Sequence, residues 1–200
     1  MSYAYEIEYK IFTEYYRKLF CMRDLEDVAS YDALRKTLSR LCKNNRITRI
    51  ANGIYLAEEP GKIEMPSVTE VVKTIARDND CIVFPGTENA RYVLGLRSDK
   101  PLDYSYFTTG STYKYSYNGI TISFRNCSNK FFVKMAPISA MVTSALYDWE
   151  THKIDANEIN KLSSILTDES RTQLFNDRKY APVKLRCVLE IICGEYPSSR

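Results

Sequence analysis

The stretch SYDALRKTLSRLCKNNRITRIANGIYL, residues 30–56, carries two periodicities in succession. Starting from Ser30, a favourable N-cap, Leu34, Leu38, Leu41 and Cys42 recur at helical spacing and form one apolar stripe. Arg35, Lys36, Ser39, Arg40 and Lys43 fall on the opposite side. Two β-rich runs follow, 47–50 and 54–56, on either side of Asn52-Gly53, a strong hairpin signal. Just upstream, residues 23–29 form a short helical candidate with Leu25 and Val28 inward. Helix, turn, helix and two-stranded ribbon together describe a winged helix-turn-helix.

Charge follows the same boundaries. Between Tyr31 and Gly53 there are six basic residues, Arg35, Lys36, Arg40, Lys43, Arg46 and Arg49, against one acid, Asp32, a local net charge of +5. The whole chain carries only +3, so its remainder sums to −2. A neutral-to-acidic body bearing one compact basic segment is the footprint of a nucleic-acid-binding module, because neutralising phosphates takes clustered cations. Charge alone describes a solvated helix face equally well, and it is the helix-turn-helix pattern that separates the two readings. An α-helix fits the major groove of B-DNA, so the second helix is expected to present Ser30, Tyr31, Arg35, Lys36, Ser39 and Arg40 to bases and flanking phosphates. Arg35 and Arg40 suit guanine edges, Lys43 and Arg46 suit the backbone, and Arg46, Arg49 and Asn52 place the wing against backbone or minor groove.

Ahead of this segment, Tyr3, Tyr5, Ile7, Tyr9 and Ile11 alternate as a strand would. The set Ala4, Ile7, Ile11, Tyr15 and Leu19 also fits a helical stripe, with Glu6 one turn from Lys10. A winged fold needs a helix here to cover the other two, so a helix is expected. Residues 58–65 are polar, contain Pro60-Gly61, and read as a linker. The chain therefore divides into a DNA-binding domain at 1–57, the linker, and an interaction domain at 66–200.

In the second domain Ser67 and Glu70 form a capping box ahead of Val71, Val72, Ile75 and Ala76. A short strand at 81–84 and a helix at 88–94 closed by Gly95 follow, then a strand at 104–108. If Asn118-Gly119 makes a two-residue turn, Tyr117 pairs with Ile120, Tyr115 with Ile122 and Tyr113 with Phe124, all on one face expected to pack as core. Helices are expected through Ile138, Met141, Val142, Ala145, Leu146 and Trp149, after the cap Asp155, and at 183–192. The fold class is α+β, with the winged helix-turn-helix followed by a mixed α/β domain holding a small antiparallel sheet and a helical C-terminus.

The chain shows no catalytic pattern. The single His152 has no nucleophile motif around it, and no phosphate-binding glycine loop occurs. Gly110-Ser111 opens like a nucleotidyltransferase, but no acid follows between Thr112 and Arg125 to hold Mg²⁺. A non-enzyme without cofactor or metal is expected. The six cysteines contain no Cys-x-x-Cys pair. No apolar run approaches the roughly 18–20 residues that span a bilayer, and the start lacks a secretory layout. A cytoplasmic chain with reduced thiols and no membrane partner is expected, as a monomer or weak dimer.

The runs Ala33-Leu34-Arg35-Lys36-Thr37-Leu38-Ser39-Arg40-Leu41, Arg46-Ile47-Thr48-Arg49-Ile50 and Asn52-Gly53-Ile54-Tyr55 resemble the winged-helix start of AbiEi-type antitoxins. The likeness continues through Pro66-Ser67, Ile82-Val83-Phe84-Pro85, Leu94-Gly95-Leu96, Tyr106-Phe107-Thr108-Thr109-Gly110 and Ile120-Thr121-Ile122-Ser123-Phe124, and the layout from Asp177 to Pro182 is similar. The resemblance implies an antitoxin and transcriptional autorepressor whose N-terminal domain binds inverted repeats in its own operator. It also implies that the C-terminal domain counters a cognate nucleotidyltransferase-like toxin of an abortive-infection system. The rival reading is a winged helix serving as a protein- or RNA-binding adaptor.

Overall fold

A computed structural model of the chain describes residues 2–59, 61, 64–148, 150 and 155–194. It divides into two compact units, Met1–Cys81 with Tyr115–Gly119 and Ile82–Lys114 with Ile120–Arg200.

The first unit opens with helix α1, Tyr3–Glu14, whose buried residues are Ile7 and Ile11. Of the two periodicities at the N-terminus the helical one prevails, but only for three turns. Arg17 stands at φ +59, a left-handed conformation that breaks the helix, and the expected stripe members Tyr15 and Leu19 lie beyond its end. Leu19 instead starts a strand, β1, Leu19–Cys21, which its helical spacing from Tyr15 conceals. The i,i+4 pair Glu6–Lys10 gives way to a longer-range one, since Lys10 Nζ lies 2.6 Å from Asp27. The short helix expected at 23–29 is a 3-10 turn, Met22–Leu25. Asp24 fixes it by accepting the Cys21 amide at 2.9 Å.

Helix α2, Tyr31–Lys43, follows with Ser30 at its N-cap position, although the Ser30 side chain makes no capping bond. Strands β2, Thr48–Ala51, and β3, Ile54–Leu56, form the expected ribbon, and β1 joins it to give an antiparallel sheet of order β1-β3-β2. Ile7, Ile11, Phe20, Leu25, Leu34, Leu38, Leu41, Ile47 and Ala57 make one core. Each fully buried Leu or Ile in it contributes roughly 1.5–3 kcal/mol. The unit runs past the 58–65 segment to take in α3, Val68–Asp78. There the capping box forms as expected, Ser67 Oγ accepting from the Glu70 amide at 3.2 Å and Glu70 Oε2 from the Ser67 amide at 2.9 Å.

The second sheet contains β4, Val83–Pro85, β5, Tyr104–Thr108, β6, Tyr113–Tyr117, and β7, Ile120–Asn126, in the order β4-β5-β7-β6. It was expected to be antiparallel and is mixed: β5 and β7 run parallel, with Tyr106 opposite Phe124. The cause is the connection, because β6 passes to the outer edge and β7 returns into the slot beside β5. Asn118 at φ +48 and Gly119 at φ +74 make the type I′ turn that the hairpin needs. Tyr113 and Phe124 rings meet at 4.5 Å, in keeping with the expected register. Tyr117, Ile122 and Phe124 are buried while Lys114 and Ser116 are exposed, so the tyrosine row faces inward.

Helix α4, Thr87–Val93, ends on Gly95 at φ +68, as expected. The short helix α5, Phe131–Lys134, and α6, Pro137–Ala145, precede α7, Ala156–Ile165, whose cap Asp155 accepts the Glu158 amide at 2.8 Å. Helix α8, Asp168–Asp177, was not foreseen, and α9, Val183–Ile192, has the expected bounds. Trp149 and His152 lie outside the described residues. No helix among the described residues is long and apolar enough to cross a membrane.

Candidate nucleic-acid interface

Helix α2 has two faces of opposite character. Leu34, Thr37, Leu38 and Leu41 are buried, and Asp32, Arg35, Lys36, Ser39, Arg40 and Lys43 are exposed. With Asn44 these six line a shallow depression of about 540 Å³. At 3.6 residues per turn, Lys36, Ser39 and Lys43 stand opposite the leucines, with Arg35 and Arg40 on the two flanks. The acid Asp32 in the first turn and the bases Arg40 and Lys43 in the last also complement the helix dipole, a modest structural return on the same charges.

A Schellman motif shapes the exit from α2. Asn45 takes φ +52, its amide bonds to Cys42 O at 3.1 Å, and the Arg46 amide bonds to Leu41 O at 2.9 Å. This reversal buries Ile47 and leaves Arg46 outside. Arg46 then stacks over the Phe12 ring of α1, 4.7 Å from its centroid.

The wing follows. Its pairs are Thr48 with Leu56, Arg49 with Tyr55 and Ala51 with Ile54, with a register shift between Arg49 and Ala51. Of the two turn residues only Gly53 takes positive φ, +77. Arg49 is hydrogen-bonded to the Asn52 side-chain oxygen. Burial pushes the Tyr55 hydroxyl and the Cys42 thiol up, and the positive charge of Arg49 partly offsets both, which places the wing arginine within electrostatic reach of α2. Behind the turn, a Cβ on Gly53 would lie 3.4 Å from Asp78 Oδ2, whose carboxyl burial raises above its ordinary value. Burial and the neighbouring Asp24 push the Cys21 thiol up to about 12, so it stays protonated and inert.

Ser30, Tyr31, Arg35, Lys36, Ser39, Arg40, Lys43, Arg46, Arg49 and Asn52 are all exposed. Their surroundings differ. Arg35, Lys36 and Lys43 meet no carboxylate among the described residues. Arg40 and Arg46 share one, Glu8 on α1, at 2.5 and 3.9 Å. Glu8 escaped sequence reading because its partners lie far along the chain; the only signal was its place beside the core residue Ile7. Asp32, also lining the depression, was legible as the lone acid of the segment.

The sequence pattern of one protein family matches residues 6–174, covering most of α1, the wing, both sheets and most of α8. The chain belongs to DUF6088, a family of unknown function. The DUF6088 match includes every residue of the basic surface. No curated protein matches the chain.

Proposed function

We propose that the first unit binds duplex DNA, with α2 in the major groove and the wing against the backbone, and that the chain is an autorepressing antitoxin. The carrying observation is that Arg35, Lys36, Ser39 and Lys43 are exposed on a helix whose leucine face is anchored in the core, and that none of these three cations meets a carboxylate among the described residues. Clustered like charges repel one another, and a polyanion relieves that repulsion while releasing its own counterions. Arg40 is engaged by Glu8, which favours Arg35 as the reader of a guanine edge. The likeness of the wing motifs to AbiEi-type antitoxins extends the reading to operator inverted repeats and to a nucleotidyltransferase-like toxin as partner.

The test is a binding titration of the full chain on the DNA upstream of its own gene, against a random duplex of equal length, over a range of salt. Arg35→Ala should cost about 1–3 kcal/mol on the upstream duplex and relax sequence preference, whereas Lys43→Ala should weaken both duplexes alike and lower the salt slope by about 1. Equal wild-type affinity for the two duplexes overturns operator-specific repression and favours the adaptor reading. The antitoxin part is checked by growth: co-expression must restore growth arrested by the neighbouring gene product, and failure to do so removes that part alone.

A further inference from the structure

We propose that Glu8 is a specificity-determining residue of the α2 surface, restraining Arg40 and Arg46 from capturing phosphates of arbitrary sequence; the inference rests on the DNA reading above. Glu8 follows the buried Ile7 on α1 and keeps its side chain 28% exposed at the edge of the basic surface. Its Oε1 accepts a hydrogen bond from Arg40 at 2.5 Å, and its Oε2 lies 3.9 Å from an Arg46 nitrogen. The two guanidinium groups come from different places, the last turn of α2 and the loop after its Schellman reversal, and converge on this one carboxylate. The Phe12 ring, one turn further along α1, supports Arg46 from below.

Stability does not account for this arrangement. Side chains of Arg40 and Arg46 are 53% and 54% exposed, and ion pairs in such settings add little to folding. What the carboxylate changes is the charge offered to a ligand. It cancels one of two adjacent positive charges and occupies guanidinium donors that a phosphate of any duplex would otherwise take. Sequence-independent binding scales with the number of cations that displace counterions, whereas base readout depends on the few side chains that reach base edges. Arg35, the proposed base reader, makes no ion pair with Glu8, which is engaged by Arg40 and Arg46. The restraint therefore falls on indiscriminate binding and spares the readout, which raises the ratio between the two.

The experiment uses the full chain, a random-sequence duplex, and a duplex selected in vitro by the wild-type protein. Glu8→Gln should bind the random duplex about three- to tenfold more tightly, with a salt slope steeper by about 1. Preference for the selected duplex should fall. Glu6→Gln removes the same charge two positions away, beside Tyr5 and Tyr9, and should change neither quantity appreciably. In an Arg40→Gln/Arg46→Gln background, Glu8→Gln should have no effect, which separates a restraint on these arginines from any general change in folding. An unchanged salt slope, or equal effects of Glu6→Gln and Glu8→Gln, overturns the proposal. A wild-type chain that binds neither duplex is a different result and overturns the DNA reading itself.

Discussion

The arginines of the second unit and the cations of α2 are used in opposite ways. In the second unit Arg91 meets Glu158, Arg97 meets Glu88, Arg125 meets Asp148 and Arg178 meets Glu190, while Arg186 donates to the carbonyls of Ala181 and Lys179 at 3.3 and 2.9 Å. Arg125 is held further by the rings of Phe107 and Tyr147, 5.1 and 4.9 Å from their centroids. All of these charges are consumed in internal contacts, and Arg91–Glu158 and Arg125–Asp148 join elements distant in sequence. On α2, Arg35, Lys36 and Lys43 meet no carboxylate among the described residues. Net charge is a poor guide to such a difference, since both sets count equally in the total. What separates them is whether an acid on a neighbouring element stands within reach, and that distinguishes charge used for folding from charge held out to solvent.

Exchanging the two roles by mutation gives the largest expected effect. Arg91 makes a two-pronged contact with Glu158, the longer arm at 3.4 Å, and their side chains are only 11% and 20% exposed. Arg91→Ala leaves Glu158 without its partner and should lower unfolding stability by about 2–4 kcal/mol, near the range for breaking a buried pair. Arg35→Ala should stay within about 0.5 kcal/mol of wild type, as surface changes do. Urea denaturation followed by circular dichroism measures both. Comparable losses from the two variants would mean that Arg35 is structural after all, and the contrast between the regions would collapse.

The same contrast explains what could be read from sequence. The stripe Leu34, Leu38, Leu41 and the turns Asn52-Gly53 and Asn118-Gly119 are local signals, and each produced the expected element. Strand β1 escaped because it has three residues and because Leu19 also continues the apolar spacing of α1; the break at Arg17 requires left-handed backbone in a residue with no preference for it. Helix α8, sequence DESRTQLFND, shows no apolar stripe because Leu174 is its only buried hydrophobic residue. The parallel pairing of β5 and β7 is a matter of connection order, which residue patterns do not encode. Exposed positions of α2 follow from helix periodicity alone, whereas the carboxylate that binds Arg40 and Arg46 depends on how α1 packs against α2.

A smaller effect is expected at α3, where the first unit uses a carboxylate on backbone amides instead of a cation. The Ser67 hydroxyl and amide hold the Glu70 carboxyl below its ordinary value of 4.5. A depressed carboxyl contributes stability that is present above its unfolded-state value and is lost as pH falls through its folded-state value. Ser67→Ala should therefore cost about 1 kcal/mol near pH 7. The gap from wild type should narrow as the solution is acidified below the ordinary carboxylate range. Thermal melts at neutral and acid pH check this, and a gap independent of pH would show that the hydroxyl acts on the helix terminus without help from Glu70.

The smallest effect separates two turns with the same Asn-Gly sequence. Asn118 sits at φ +48 and Gly119 at φ +74, so both positions of this hairpin demand left-handed backbone. In the wing only Gly53 does, at φ +77, and the register shift between Arg49 and Ala51 absorbs the remaining twist. Asn tolerates the left-handed region better than Ala, so Asn118→Ala should cost about 0.5–1 kcal/mol. Asn52→Ala should leave stability within about 0.5 kcal/mol, since its backbone needs nothing special. Its side chain does hold Arg49, so the same substitution should loosen that arginine and shift duplex affinity by about twofold or less, the scale of one exposed contact. Paired denaturation and DNA titration of the two variants therefore ask one dipeptide two questions. At 118–119 the asparagine serves the strand pairing, and at 52–53 it holds the exposed side chain of Arg49.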